Sequence, residues 1–230
     1  MKFESTLKKC QSSTKNEVAY YNFLNDFEWC RSFNYNHAID SNTKLIIVGT
    51  LTPHDGRKNG YFYSADGNGV YGLLDEYFAG KSNFLNLKNK LIASSNKAQC
   101  IDDIINELKK FNIAFLDVID CAIASTTSPD DDEILYFNLD FDSFKNLLDT
   151  LSDFNFVCTS KNAVEGLLYI LKKHCTVPTN VGTYPINLSY NNKKFFIDLA
   201  PQILRGKIKY NNVPITNRRA HWMKILAKYI

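Results

Sequence analysis

At 230 residues, with 45% hydrophobic and 22% charged side chains, the chain has a globular composition and the length to bury a sizeable core, which argues against disorder and fibrous architectures. No apolar run approaches the ~20 residues that a membrane span needs. The start, MKFESTLKKC, has no apolar signal-peptide core, so a cytoplasmic protein without a membrane partner is expected. The net charge of +3 is unevenly spread: acids crowd Asp130 to Asp153, and bases dominate from Lys193 to the end. A basic terminal quarter suits a phosphate-backbone partner, because neutralising phosphates releases condensed counterions; a solvated lysine-rich surface is the plainer reading.

Residues 1–43 mix polar and aromatic residues and are expected to form a helical or irregular cap over a sheet edge. Leu45, Ile46, Ile47 and Val48 then make a β-branched apolar run that stops at Gly49, which predicts a strand. A polar loop follows, with Pro53, glycine-containing turns and the aromatics Tyr61, Phe62 and Tyr63, before a helix-like run reaching Phe78. In open α/β sheets ligands sit at the carboxyl end of such a strand, so residues 44–78 are where chemistry is expected. Ile101, Ile104, Ile105, Leu108 and Phe111 recur at helical spacing ahead of a second strand, Ile113 to Val118. Ser128, Pro129 and the acids after them form a helix-start signal. Phe141, Phe144, Leu147, Leu148 and Leu151 mark a further helix. A third strand, Phe154 to Cys158, precedes a helix built on Ala163, Leu167, Leu168 and Leu171. The alternating stretch INLSYNNKKFFIDLAPQ reads as a hairpin turning at Asn191 and Asn192, whose second arm, Phe195 to Leu199, is the fourth core strand. The last helix carries Trp222, Ile225, Leu226 and Tyr229 on one face. The expected fold is α/β, a three-layer α/β/α sandwich with a central, mainly parallel, four-stranded sheet. We read residues 1–230 as one domain, with a cap at 1–43, a core at 44–202 and a basic segment at 203–230.

Six cysteines are scattered without a CxxC pair and four histidines lack ligand-like spacing, so no metal is expected. Cys121 and Cys158 lie in apolar segments and read as core residues. His54, with Asp55, is the histidine in the segment after Gly49, as a candidate acid or base or as ordinary surface.

Four strand ends line up: Gly49-Thr50-Leu51-Thr52-Pro53, Phe115-Leu116-Asp117-Val118, Cys158-Thr159-Ser160-Lys161-Asn162-Ala163 and Asp198-Leu199-Ala200-Pro201-Gln202. Their order resembles the uracil-DNA glycosylase superfamily, nearest its mismatch-specific and hypoxanthine-type branches. There a first strand ends in Gly-x-x-Pro, followed by a pair of aromatics and then Asn-x-aromatic-aromatic at a helix start. Tyr61-Phe62-Tyr63 and Asn68-Gly69-Val70-Tyr71 fall in matching places, as do Asp117-Val118, Cys121 and the run Ser125 to Ile134. The resemblance spans about residues 44–202. With Pro53 as anchor, Thr52 stands where the family carries a water-positioning Asp or Asn, and Asp198 and Ala200 stand where its last motif carries His and Ser.

The resemblance implies a DNA glycosylase that hydrolyses the N-glycosidic bond of a deaminated or modified base flipped out of DNA, without metal or cofactor. Thr52 and Asp117 take the catalytic places. Thr50, Tyr63, Asn68, Tyr71 and Asn162 take the base-binding places, and Gln202, Arg205 and Lys207 the DNA-binding ones, beside a wedge at Ile203 or Leu204. The implied partner is duplex or single-stranded DNA, the product a free nucleobase, and the protein a monomer. Structural roles stay open for the same residues: core packing for Tyr63 and Tyr71, a turn for Asn68, a cap for Asp117. Thr52, Asp198 and Ala200 also leave open a non-catalytic nucleic-acid or nucleotide-binding module of the same fold, and a nucleosidase acting on free nucleosides is a third possibility.

Overall fold

In a computed structural model, residues 27–31, 38–65, 67–126, 134–178, 183–200, 209–210 and 213–230 are described. The first core strand, β2 (Leu45–Gly49), is buried at every position, and so is β3 (Ile113–Asp117), as the unbroken apolar runs require of strands covered on both faces. Strand β6 (Asn155–Cys158) and strand β8 (Lys193–Leu199) complete a parallel set, with β2 between β3 and β6 and with β8 beyond β6. The sheet has five strands, not four. The fifth is β7 (Ile186–Tyr190), the first arm of the hairpin, antiparallel to β8 at the sheet edge. Asn191 and Asn192 make its two-residue turn with φ of 47° and 65°, the left-handed conformation that asparagine tolerates. Strand β7 alternates buried and exposed positions, as an edge strand with one wet face does.

Helices cover both faces. On one face Phe115 of β3 is ringed by Tyr61, Phe62 and Tyr63 and by Tyr71 of α2 (Val70–Tyr77), with ring centroids 5.0–6.5 Å away. The C-terminal helix α7 (Ile215–Tyr229) meets the same face, where Tyr229 packs on Phe196. On the other face Phe156 stacks on Phe144 of α5 (Phe141–Thr150) and meets Phe154 and Phe195. Burying each such ring contributes about 1.5–3 kcal/mol. Between these lie α1 (His54–Asn59), α3 (Phe84–Ala93), α4 (Lys97–Lys110) alongside β3, and α6 (Lys161–Leu171) after β6.

A second, antiparallel sheet of three strands departs from expectation: β1 (Phe27–Arg31), β4 (Cys121–Ser125) and β5 (Ile134–Asn138), with β4 in the middle. Within the expected cap, Phe27–Arg31 is thus a strand and residues 38–43 are turn and irregular chain. The helix-start signal at Ser128 and Pro129 lies outside the described residues, but Ile134–Asn138 after it is extended, and α5 opens only where Asp140 Oδ1 accepts from the Ser143 amide at 2.9 Å. At the far end of α5, Lys193 Nζ donates to the carbonyls of Leu148, Asp149 and Leu151, filling acceptors that a helix end leaves open. A short pair, β9 (Lys209–Tyr210) with β10 (Val213–Pro214), precedes α7. Among the described residues no helix is long and apolar enough to cross a membrane.

Candidate active site

Parallel register places Gly49 directly beside Asp117 at the carboxyl ends of β2 and β3, so both project onto the face that carries Phe115. Gly49 has an extended-strand role that any residue could fill, but its neighbours exclude a side chain. A Cβ there would lie 2.6 Å from Asp117 Oδ1 and 3.2 Å from the Tyr63 hydroxyl. The glycine lets a carboxylate and a phenol close over bare backbone.

Asp117 is 6% exposed and is fixed by the loop that follows β2. Its Oδ2 accepts both the amide N–H of Thr52, at 2.6 Å, and the Thr52 hydroxyl, at 2.7 Å. Charge-assisted bonds of this length are the stronger kind. Thr52, 4% exposed, is held on its other sides too: its carbonyl accepts from Arg57 Nη1 at 2.6 Å, and its methyl rests where a Cβ on Gly56 would come within 2.6 Å. Asp117 therefore holds the neighbouring loop through Thr52.

Tyr63 forms the wall above this pair. Its backbone is left-handed, with φ of 53°, a conformation that is sparse outside glycine and persists only where surrounding structure imposes it. The ring stands edge-on to Phe115 at 5.0 Å. Its hydroxyl oxygen is buried close to the Asp117 carboxylate and the Thr159 hydroxyl. Burial, reinforced by the Asp117 charge, pushes the phenol well above the usual tyrosine range, so it stays protonated as a donor.

The β6 end adds hydroxyls. Ser160 caps α6 by accepting from the Ala163 amide at 3.0 Å, and its oxygen lies 3.1 Å from Thr50 Oγ1, tying the β2 and β6 loops together. Thr159 donates to the Val48 carbonyl at 3.2 Å. Asn162 sits half-buried in the first turn of α6. The structure thus gathers Thr50, Thr52, Tyr63 and Asp117 at one edge of the sheet, with Asn162 at the start of the adjoining helix.

Other expected site residues are placed elsewhere or differently. Tyr71 is fully buried and its hydroxyl donates to the Phe62 carbonyl at 2.9 Å, which leaves no ring face open to a base. Its position in α2, one turn before Leu74, turns it into the core. Asn68 uses its Oδ1 to accept the Val70 amide at 3.0 Å, the entry to α2. His54 and Asp55 form the first turn of helix α1, in a stretch read from the sequence as loop. Asp198 faces α7: its Oδ2 accepts from the Tyr229 hydroxyl at 3.1 Å and lies 3.8 Å from Lys228 Nζ, while Oδ1 accepts the Leu199 amide. Gln202, Arg205 and Lys207, with the expected wedge, lie outside the described residues. Gly49 was read from the sequence as the strand end and motif glycine, whereas Thr159 and Ser160 were given no role; Ser160 carried a usable signal, a capping hydroxyl between an apolar strand and a helical repeat. Among the described residues no three His, Cys, Asp or Glu side chains converge as metal ligands.

Sequence comparison finds no matching family and no matching curated protein. Structure comparison finds a solution NMR structure of "a putative Uracil DNA glycosylase from Methanosarcina acetivorans", similar over 88% of this chain and 99% of that one, at a TM-score of 0.52 and 17% identity. Likeness at that identity is one of fold: this chain shares an α/β fold, with its mainly parallel sheet flanked by helices, with that structure.

Proposed function

We propose that the chain is a DNA N-glycosylase that hydrolyses the bond between sugar and base in a nucleotide extruded from DNA. The observation that carries this reading is the Asp117 carboxylate, locked by two bonds from Thr52 at the ligand-binding edge of the sheet, beside the protonated Tyr63 hydroxyl. Breaking an N-glycosidic bond leaves positive charge on the sugar and the bonding electron pair on the base. A fixed carboxylate favours the first, and a buried hydroxyl donor favours the second. Water adds its hydroxyl to the sugar carbon as the C–N electron pair leaves with the base; the water's other proton passes to solvent by way of the carboxylate, and the base takes one proton from solvent, while Tyr63 donates a hydrogen bond to it and keeps its own proton. This assigns to Asp117 the charge that Thr52 lacks, with Thr52 as its orienting partner. The Methanosarcina acetivorans protein, by its printed description, lends support at the level of fold. Cations for the DNA backbone are present at the same edge: Lys161 is exposed beside Ser160, and Lys228 is exposed beside Asp198. The test is release of free base from duplexes carrying uracil, hypoxanthine, xanthine or a modified pyrimidine by wild type, Thr52→Ala and Asp117→Asn. Release that Asp117→Asn leaves unchanged refutes the site, and no release from any substrate refutes the enzyme.

A second reading, a non-catalytic nucleic-acid-binding module, is favoured by one observation. The two residues at the family's catalytic motif places, Thr52 and Asp198, are both engaged in internal bonds, to Asp117 and to Tyr229. Duplex binding that weakens steeply with salt, with no base release, selects that reading. Hydrolysis of free nucleosides but not of duplex substrates selects a nucleosidase.

A further inference from the structure

The segment that carries Tyr63 is fastened by a buried lysine. Lys88, in the middle of α3, is 3% exposed, and its Nζ donates to the backbone carbonyls of Ala65 at 2.8 Å and Asn68 at 2.9 Å. These carbonyls bound a turn closed by the Asn68 amide on Ala65 O at 3.0 Å. Ser64, immediately before, is fully buried and donates to the Tyr61 and Gly56 carbonyls. Tyr63 is thus flanked by a stretch in which backbone acceptors are filled from the side. An ammonium group is costly to bury and tolerated where its donors are taken up, and a lysine ringed by carbonyls does work that an apolar residue of equal length cannot. The left-handed backbone of Tyr63 needs such constraint from outside itself.

We propose that Lys88 is a positioning residue for the site: by clamping the Ala65 and Asn68 carbonyls it seats Tyr63 over Gly49 and Asp117, and so aims the hydroxyl donor that the departing base needs without itself touching the ligand. The inference rests on the reading of this crevice as a base pocket, but half of its test needs no substrate. In tyrosine-ring-labelled protein, the Tyr63 signal is identified by its loss in Y63F. K88M, which keeps the stem and loses the donors, shifts that signal and speeds hydrogen exchange at the Asn68 amide by about tenfold or more, while the Ile47 and Phe115 amides in the sheet exchange as in wild type. K88R returns the Tyr63 signal part of the way. With a duplex carrying whichever of uracil or hypoxanthine wild type releases, K88M lowers kcat about tenfold and leaves KM within about threefold, the pattern of a donor misplaced in the transition state and not of lost binding. A Tyr63 signal and Asn68 exchange unchanged in K88M overturn the proposal, as does exchange that quickens equally throughout the sheet. A shifted Tyr63 signal with unchanged kcat overturns the link to the site. Absence of base release by wild type refutes the glycosylase reading instead, and the Tyr63 signal then decides the role of Lys88 alone.

Discussion

Thr52 and Asp117 lie 65 positions apart in the sequence and meet through two bonds to one carboxylate oxygen, from the threonine amide at 2.6 Å and from its hydroxyl at 2.7 Å. The pair joins the loop after β2 to the last residue of β3, the two parallel strands whose carboxyl ends lie side by side. Because both residues are almost fully buried, each bond lost leaves a polar group without water to replace its partner. Thr52→Val keeps the shape and the amide bond but loses the hydroxyl donor, and should cost about 1.5–3 kcal/mol, the range for hydrogen bonds to charged groups. Asp117→Ala removes the oxygen that accepts both bonds and should cost more. Denaturant titrations of the two variants check the order; equal stability of Asp117→Ala and wild type would show that the pair does not hold the loops.

Gly49 tests the geometry from the other side. Gly49→Ala drives a methyl group to within 2.6 Å of Asp117 Oδ1 and 3.2 Å of the Tyr63 hydroxyl, so the carboxylate and the phenol must both shift. Overpacking of this kind costs about 1–3 kcal/mol. The expected signature is a loss of base release well beyond the loss of stability, measured at a temperature where circular dichroism shows the variant still folded. A variant with wild-type turnover would count against Asp117 and Tyr63 as site residues.

Much of this was legible in the sequence, for a physical reason. Buried parallel strands announce themselves as unbroken β-branched runs, and all four expected core strands are present, in the order that places their carboxyl ends together. Asn191 and Asn192 announced the hairpin because few residue pairs accept two left-handed conformations in a row. The small sheet was hidden: β1 reads FEWCR, too short and mixed to show a period, and β5 follows acids that mimic a helix start. Helix α1, HDGRKN, has no apolar stripe at all and is closed by Gly60 at φ of 94°. At the candidate site, sequence located Thr52 and Asp117 at strand ends and Tyr63 in the aromatic loop after the first, but not their bonds, since local spacing carries no information on which loops touch. Tyr71 was the reverse case, an aromatic in a polar stretch that helical periodicity turns into the core.

Alkaline pH should expose the buried tyrosines. Burial raises the phenols of Tyr61, Tyr63 and Tyr71 well above the ordinary tyrosine value. Below pH ~10 both folded and unfolded chains keep these protons, so stability does not depend on them. Above it the unfolded chain releases them while the folded chain does not, and stability falls by up to about 1.4 kcal/mol per pH unit for each group. Three groups together give a slope of about 4 kcal/mol per pH unit, and Tyr63→Phe should reduce it by about a third. Urea titrations between pH 8 and 11 measure the slope, and absorbance at 295 nm follows ionisation. Ionisation of all tyrosines at pH 10 to 11 in still-folded protein would contradict the burial.

The last prediction separates a nucleic-acid partner from a small-molecule one by charges in the described part of the chain. Lys161 opens α6 next to Ser160, whose oxygen lies 3.1 Å from Thr50 Oγ1. Lys228 sits near the end of α7, with its side chain 46% exposed and its Nζ 3.8 Å from Asp198, the penultimate residue of β8. Both therefore stand at the edge of the sheet that carries Asp117. Lys109 is the natural control: it is exposed near the end of α4, which leads into the start of β3 at the opposite edge. If duplex DNA lies across the crevice, each lysine that neutralises a phosphate adds about 0.9 to the slope of log affinity against log salt. The double variant K161Q/K228Q should flatten that slope by about one to two and weaken binding to all sequences alike, whereas K109Q should leave it unchanged. A carboxylate beside Lys228 reduces the field at that lysine, so the larger share of the change should come from Lys161. An unaltered slope in the double variant, or an equal change in K109Q, would argue that DNA does not cross this edge.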